Sequence, residues 1–263
     1  MYRKTKIKRF LKDNYQLMPK NYLKTIEVIV YYAIDIFDNN LINITLGGSG
    51  GKVEIIDGWS DLDFYIILKT YSYKQVSKFM RVINLNSIHI GTTFYTKKEI
   101  ENNLIDSKTK IMLYEKNNYS VNPSLYGDEI KKEVLYNEIV YNDFFMFPSF
   151  LHICRRNYME IKNDVFPITK KHIKQLTLLL KCILNINKTF VFGYERIFNE
   201  FEKICVKKYK YSMAFSKFNI NSILNEPNNL QQFKKEFILY NEFVFDYIEK
   251  IHVKDLSVIR TIF

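Results

Sequence analysis

The chain has 263 residues, of which 47% are hydrophobic and 25% charged, and its formal net charge is +11. This composition excludes a disordered chain and supplies enough apolar surface for one large domain or two modest ones. No apolar run approaches the roughly 20 residues of a membrane-spanning helix, and the basic N-terminal segment lacks the apolar stretch of a signal peptide. We therefore expect a cytoplasmic protein without a membrane partner. Because the cysteines are far apart in sequence, we expect buried free thiols at Cys154, Cys182 and Cys205.

A helix and a strand are predicted first. Apolar residues recur at steps of three and four over 22–36, which is the period of a helix buried on one face. The alternating residues at 42–46 then favour a strand that runs directly into a glycine-rich segment.

Glycine dominates the segment after this strand. Five of the chain's eight glycines fall within 47–58, and Lys52 follows the tightest group. A backbone without Cβ atoms approaches a ligand closely and builds a concave set of N–H groups that binds anions. A Walker A loop is excluded, because Leu46 and Val53 stand where that motif requires glycine and Ser or Thr. A dinucleotide fingerprint that starts at Gly48 is excluded as well, since Val53 replaces its third glycine.

Two aspartates begin the next predicted strand. Asp61 and Asp63 are followed by an apolar run to Leu68, so both carboxylates are expected on one side of the strand, about 6–7 Å apart. A phosphate-binding loop and two carboxylates on a rigid strand are suited to hold Mg²⁺ against a nucleoside triphosphate. The sequence therefore predicts a metal and nucleotide site here.

Further along, the sequence predicts a helix over 73–82, a strand over 88–95, and a helix that starts at Thr96 with Glu99 as its capping-box partner. The segments 111–114 and 120–121 are expected to be extended. From Asp128 onward the apolar residues follow the helical period, clearest over 173–184, 194–207 and 237–251. We expect the aromatic residues Phe144, Phe145, Phe147 and Phe150 to lie in the core.

These elements predict an α+β fold, in which a small twisted mixed sheet with helices is followed by a C-terminal helical bundle. The expected domains are 1–127, which includes the N-terminal helix and the glycine-rich loop, and 128–263, which is helical. The net charge is +3 through Asp143 and +8 from Phe144 onward, so the basic excess lies in the helical part.

The motif resembles a known signature. Gly48-Ser49, an interval of eleven residues and Asp61-Leu62-Asp63 in an apolar strand resemble the DNA polymerase β-like nucleotidyltransferase superfamily. The resemblance covers about 22–127, and the two-part layout is similar to aminoglycoside and lincosamide nucleotidyltransferases. It implies the nucleotidyltransferase fold in the first domain, an acceptor-binding role for the second, and ATP or another nucleoside triphosphate as donor.

The resemblance also implies roles for individual residues. Asp61 and Asp63 would be catalytic and would bind Mg²⁺, while Gly48 and Ser49 would bind the phosphates of the nucleotide. Lys52 is a candidate additional cation for the phosphate tail.

One feature of the family is absent. Many members carry a third carboxylate on the strand after Asp-x-Asp, and the segment 87–95 contains no acid. Either two aspartates suffice, or the enzyme is weakened or inactive, or another acid serves as the base. The candidate bases are Glu115, Asp128, Glu138 and Asp143. His89 is expected to be structural on a strand face rather than a base.

The leading interpretation is an Mg²⁺-dependent transfer of a nucleoside monophosphate, AMP from ATP, to a hydroxyl of a small molecule such as an antibiotic, which would make the protein an antibiotic-resistance enzyme. The basic C-terminal half suits a weakly charged acceptor, such as a lincosamide, better than a polycationic aminoglycoside. Two alternatives remain open. One is a toxin-like transferase that modifies RNA or protein, with RNA bound by the basic half. The other is a non-catalytic nucleotide-binding module.

Overall fold

The computed structural model describes residues 11–13, 15–84, 86–209, 219–226 and 228–249. The chain divides into two compact units, Met1–Ile139 and Val140–Phe263. The boundary predicted from the sequence follows Gly127, whereas residues 128–139 group with the first unit. The division of roles between a catalytic and an acceptor-binding domain stays a prediction. The basic N-terminal residues before position 11 lie outside the described residues.

The first unit combines a small sheet with helices of different lengths. In chain order its elements are α1 (Lys20–Phe37), β1 (Leu41–Gly47), α2 (Gly48–Gly51), β2 (Leu62–Leu68), α3 (Tyr73–Ile83), β3 (Ile90–Thr96), α4 (Lys97–Glu101), α5 (Ser107–Tyr119) and β4 (Ser124–Gly127). The predicted elements at 22–36, 42–46, 73–82 and 88–95 are confirmed, with shifts of one or two residues at their ends. The predicted capping box of Thr96 and Glu99 starts α4.

The sheet has the strand order β3-β2-β1-β4. It is mixed, as predicted, because β1 is antiparallel to β2 and β4 while β2 and β3 are parallel. One face packs against α1 and α3, where the rings of Phe37, Phe79 and Phe94 have centroids 5.4–6.0 Å apart. Phe64 belongs to this core. Since side chains alternate along a strand, Asp63 points to the opposite face.

The expectation that 111–114 is extended was wrong, since this segment lies within α5. The carboxylate of Asp106 accepts a hydrogen bond of 2.7 Å from the N–H of Thr109 and thereby caps the helix. A run of four apolar residues fits a strand or a helix equally well, so the cap decides between them. Ser120, also expected to be extended, adopts the left-handed conformation that ends the helix.

The second unit is helical, which confirms the predicted character of the C-terminal part. Its elements are α6 (Tyr136–Lys162), which begins four residues before the unit boundary, α7 (Lys170–Ile186), α8 (Tyr194–Tyr209), α9 (Ile220–Asn225), a 3-10 turn (Leu230–Phe233) and α10 (Lys234–Tyr247). Phe198 of α8 stacks on Tyr240 of α10, with ring centroids 5.3 Å apart. The end of the predicted stripe at residue 251 lies outside the described residues.

Cys154, Cys182 and Cys205 are buried and free, as predicted. The aromatic residues of α6 differ in burial. Phe147 is buried as expected, whereas Phe145 is 60% exposed, so its expected place in the core was wrong. Residues two positions apart on a helix differ by about 200° in direction, so a consecutive aromatic run cannot all face one core. No helix in the described residues is both long enough and apolar enough to cross a membrane.

Candidate active site

The glycine-rich loop begins where β1 ends. Gly48 opens the short helix α2 and has φ +59°, a conformation in which an L side chain is strained. Ser49 is the next residue, and its carbonyl accepts a 2.9 Å hydrogen bond from the N–H of Glu54, which closes the loop after α2. The turn from β1 into α2 therefore uses a backbone conformation that favours glycine at position 48.

Asp63 lies between glycines on both neighbouring strands. It pairs with Gly47 of β1 and with Gly91 of β3. A Cβ atom added at Gly48 would lie 2.6 Å from Oδ2 of Asp63, and one added at Gly91 would collide with Oδ1. The carboxylate therefore occupies space that only glycines leave open, and its two oxygens face different neighbours.

Asp61 immediately precedes β2, and its side chain is 40% exposed. His89 Nδ1 lies 3.9 Å from Asp61 Oδ1, and the imidazole is 78% exposed. The expectation of a structural histidine on a strand face was wrong, because His89 precedes β3 and points to solvent. The structure thus places an accessible imidazole beside one of the two predicted metal ligands.

Lys108, in the first turn of α5, contacts the other predicted ligand. Its Nζ lies 2.8 Å from Asp63 Oδ1, and the two side chains are 60% and 22% exposed. Lys108 was not predicted as a site residue, because the segment 111–114 that follows it was expected to be extended. The available signal was Asp106 as a helix cap, which puts Lys108 in the first turn of a helix that returns to the sheet.

Tyr65 follows Asp63 on the same face of β2 and is buried. Burial raises the pKa of its hydroxyl, and the nearby carboxylates of Asp63, Asp106 and Glu115 raise it further. The hydroxyl therefore stays protonated at neutral pH. Asp106 therefore lies close enough to Tyr65 to act on it electrostatically, although Asp106 was not among the residues predicted for the site.

Lys52 and Glu115, predicted as a phosphate-binding cation and a candidate base, contact each other. Their side chains are 10% and 2% exposed, and Lys52 Nζ lies 2.9 Å from Glu115 Oε1. Asn122 Nδ2 donates to Glu115 Oε2 at 3.0 Å, while the N–H of Asn122 donates to the carbonyl of Gly51 at 2.9 Å. This network ties α5 to the end of the glycine-rich loop. The predicted roles of both residues in phosphate and proton chemistry stay predictions.

The remaining candidate bases have different surroundings. Glu138 accepts hydrogen bonds from the N–H of Leu135 and from Lys110 Nζ; burial raises its pKa, but these bonds outweigh burial and the net pKa is lowered. Asp128 is exposed, and its backbone carbonyl accepts a 2.7 Å hydrogen bond from Asn43 Nδ2.

Asp143 belongs to the second unit, where Asn185 Nδ2 donates to it at 2.6 Å. Burial raises the pKa of Asp143 to about 6. The assignment of any of these acids as the base stays a prediction.

The carboxylates of Asp61 and Asp63 fit Mg²⁺ by ligand type. Within the described ranges, no group of three or more His, Cys, Asp or Glu side chains is arranged to hold a metal ion. Mg²⁺ commonly takes one or two carboxylates and completes its shell with water and substrate phosphates. The backbone of Gly48 beside Asp63 Oδ2, where a Cβ atom would not fit, leaves an approach for such phosphates. Asp61 and Asp63 would hold the ion and thereby supply a charge that neutralises the phosphates.

The fold has a counterpart among solved structures. A spectinomycin adenyltransferase from Enterococcus faecialis, solved with ATP and spectinomycin, is similar over 80% of this chain and 98% of its own, with a TM-score of 0.51 and 15% identity. The fold is that of a nucleotidyltransferase. This likeness confirms the predicted fold class. No protein-family model matches the chain, and no curated protein sequence matches it.

Proposed function

We propose that the protein is an Mg²⁺-dependent nucleotidyltransferase that transfers a nucleoside monophosphate, AMP from ATP, to a hydroxyl group of a small molecule. The observation that carries this proposal is the position of Asp63 between Gly48 and Gly91, beside a glycine-rich loop. The likeness in fold to an adenyltransferase solved with ATP and spectinomycin supports the same reaction class.

The proposed chemistry assigns each residue a task. The backbone N–H groups at Gly48 and Ser49 bind the phosphate tail and hold the α-phosphorus in line with the attacking hydroxyl. Asp61 and Asp63 hold Mg²⁺, which when bound neutralises charge on the phosphates. The exposed imidazole of His89, 3.9 Å from Asp61, joins the predicted acids as a candidate that takes the hydroxyl proton.

The acceptor is proposed as a hydroxyl-bearing antibiotic or a similar small molecule. The similar solved structure contains spectinomycin, an acceptor of that size class. The net charge of +8 from Phe144 onward favours an acceptor that is not polycationic. The protein would act in the cytoplasm, where ATP is available.

A transfer assay tests the proposal. The protein is incubated with each α-labelled nucleoside triphosphate, Mg²⁺, and a panel of antibiotics, RNAs and proteins, and the label is followed into product. We expect label on a small molecule, and expect Asp61→Asn and Asp63→Asn to lower the rate by about 10²-fold or more. Asp57→Asn is the matched control, because Asp57 is an exposed aspartate in the loop before β2. Label on RNA or protein alone would replace the small-molecule proposal.

A second candidate, a non-catalytic nucleotide-binding module, is favoured by one observation. Many nucleotidyltransferases carry a third carboxylate on the strand that corresponds to β3. Here the β3 residue that pairs with Asp63 is Gly91, which has no side chain. Metal-dependent ATP binding that requires Asp63, with no transfer to any acceptor, would support this candidate. Equal ATP binding by Asp63→Asn and the unchanged protein would contradict both.

A further inference from the structure

We propose that the Lys108 ammonium takes the place of a second metal ion, so that the site binds a nucleoside triphosphate with a single divalent cation. The inference rests on the proposed function, because it concerns the same two aspartates.

The two oxygens of Asp63 have different surroundings. Oδ2 faces Gly48 and the glycine-rich loop, on the side where phosphates are proposed to bind. Oδ1 faces Gly91 of β3 and accepts a 2.8 Å hydrogen bond from Lys108 Nζ. A metal ion shared with the phosphates has access at Oδ2, while Oδ1 already has a cation.

The N-terminal turn of α5, which carries Lys108, is held in place by hydrogen bonds. The Asp106 carboxylate caps the helix by accepting a hydrogen bond from the N–H of Thr109. The residue Thr109 is 1% exposed. The N–H of Asp106 in turn donates to the hydroxyl of Tyr95 at 3.0 Å, which ties the cap to β3. The backbone of Lys108 is therefore held near Asp63, although its side chain is 60% exposed.

The surroundings of Oδ1 disfavour a second metal ion at that oxygen. In two-metal sites the ions lie about 3.5–4 Å apart and share carboxylates. A second Mg²⁺, which binds oxygen ligands at about 2.0–2.1 Å, would have to compete for Oδ1 with the Lys108 ammonium 2.8 Å away. It would also need a further anionic ligand, and β3 presents Gly91 there. One ammonium satisfies Oδ1 without that ligand and is able to reach a phosphate oxygen by rotating its flexible stem.

The test counts metal ions. Mn²⁺ is titrated into the protein saturated with a non-hydrolysable ATP analogue, and bound Mn²⁺ is measured by electron paramagnetic resonance. We expect one bound Mn²⁺ per chain. Two bound ions would overturn the proposal while leaving the proposed function intact. Failure to bind the analogue and Mn²⁺ at all would contradict the proposed function and the inference together.

Lys108→Met gives an independent readout. Without nucleotide, removal of a competing cation should tighten Mn²⁺ binding by about two- to fivefold, the range that an exposed ion pair supplies. With Mn²⁺ saturating, the affinity for the analogue should fall by a similar factor, because one phosphate contact is lost. Lys97→Met is the control, since Lys97 is an exposed lysine of the same unit that contacts Glu101. If Lys108→Met and Lys97→Met behave alike in both titrations, Lys108 has no role at the site.

Discussion

Substitution of Gly48 by alanine should separate the fold of the loop from its function. Because Gly48 has φ +59°, an alanine there costs about 1–2 kcal/mol of folding free energy. The new Cβ would also lie 2.6 Å from Asp63 Oδ2, so this oxygen must retreat by about 0.8 Å to reach the 3.4 Å of an ordinary contact. A displacement of about 1 Å in a reacting group costs on the order of 10²-fold in rate. We expect a modest loss of stability and a large loss of transfer.

Gly58→Ala is the matched control. Gly58 also has positive φ, +73°, but it lies in an exposed turn before Asp61. Trp59 is the chain's single tryptophan and is buried in the first unit, so urea unfolding followed by its fluorescence reports on that unit. We expect both variants to lose about 1–2 kcal/mol, since both put an L residue in the left-handed region. Only Gly48→Ala should lose metal-dependent ATP binding in calorimetry. Equal ATP binding by the two variants would refute the proposed role of Asp63 Oδ2.

Two further predictions concern buried charges. Glu115→Gln should destabilise the first unit by about 3–5 kcal/mol, because it leaves the Lys52 ammonium buried without its counter-charge, and the double variant Lys52→Met/Glu115→Met should recover most of that loss. If Lys52→Met instead weakens ATP binding without changing the Trp59 unfolding curve, Lys52 serves the phosphates. In the second unit, the pKa of Asp143 is raised from 3.8 to about 6, so the folded state binds more protons than the unfolded state between these values. Stability should therefore fall by about 3 kcal/mol in total as pH rises from about 3 to about 7. Circular dichroism of urea unfolding should show this fall in the unchanged protein and not in Asp143→Asn; the same slope in both would contradict it.

The part of the site that is local in sequence was predictable. The loop around Gly48 and the pair Asp61 and Asp63 follow from letters a few positions apart, because glycine conformation and strand alternation are local properties. The strand that precedes the loop was also predicted, since alternating apolar residues carry the strand period.

The part that depends on strand register and helix placement was not predictable. Gly91 comes beside Asp63 only through the parallel register of β2 and β3, which no spacing in the sequence states. Lys108 reaches the site only if 111–114 is helical, and the apolar pattern of that short segment did not decide between helix and strand. The pairing of Lys52 with Glu115 likewise needs the position of α5 against the loop.

The structure explains why a third carboxylate does not fit at Gly91 on β3. If β3 had simply lost an acid, restoring one at Gly91 should restore a three-acid site. A Cβ atom at Gly91 collides with Asp63 Oδ1, however, so an acid at this position would displace the carboxylate it is meant to assist. The space that Gly91 leaves is instead filled by Asp63 Oδ1, the oxygen that Lys108 Nζ contacts. Gly91 thus leaves room for the carboxylate oxygen that Lys108 contacts. We accordingly expect Gly91→Asp to lower metal-dependent ATP binding, measured by calorimetry, as Gly48→Ala does. An increase in affinity would mean that the site is a three-acid site that has lost a ligand, and that the contact of Lys108 with Asp63 has no role in binding.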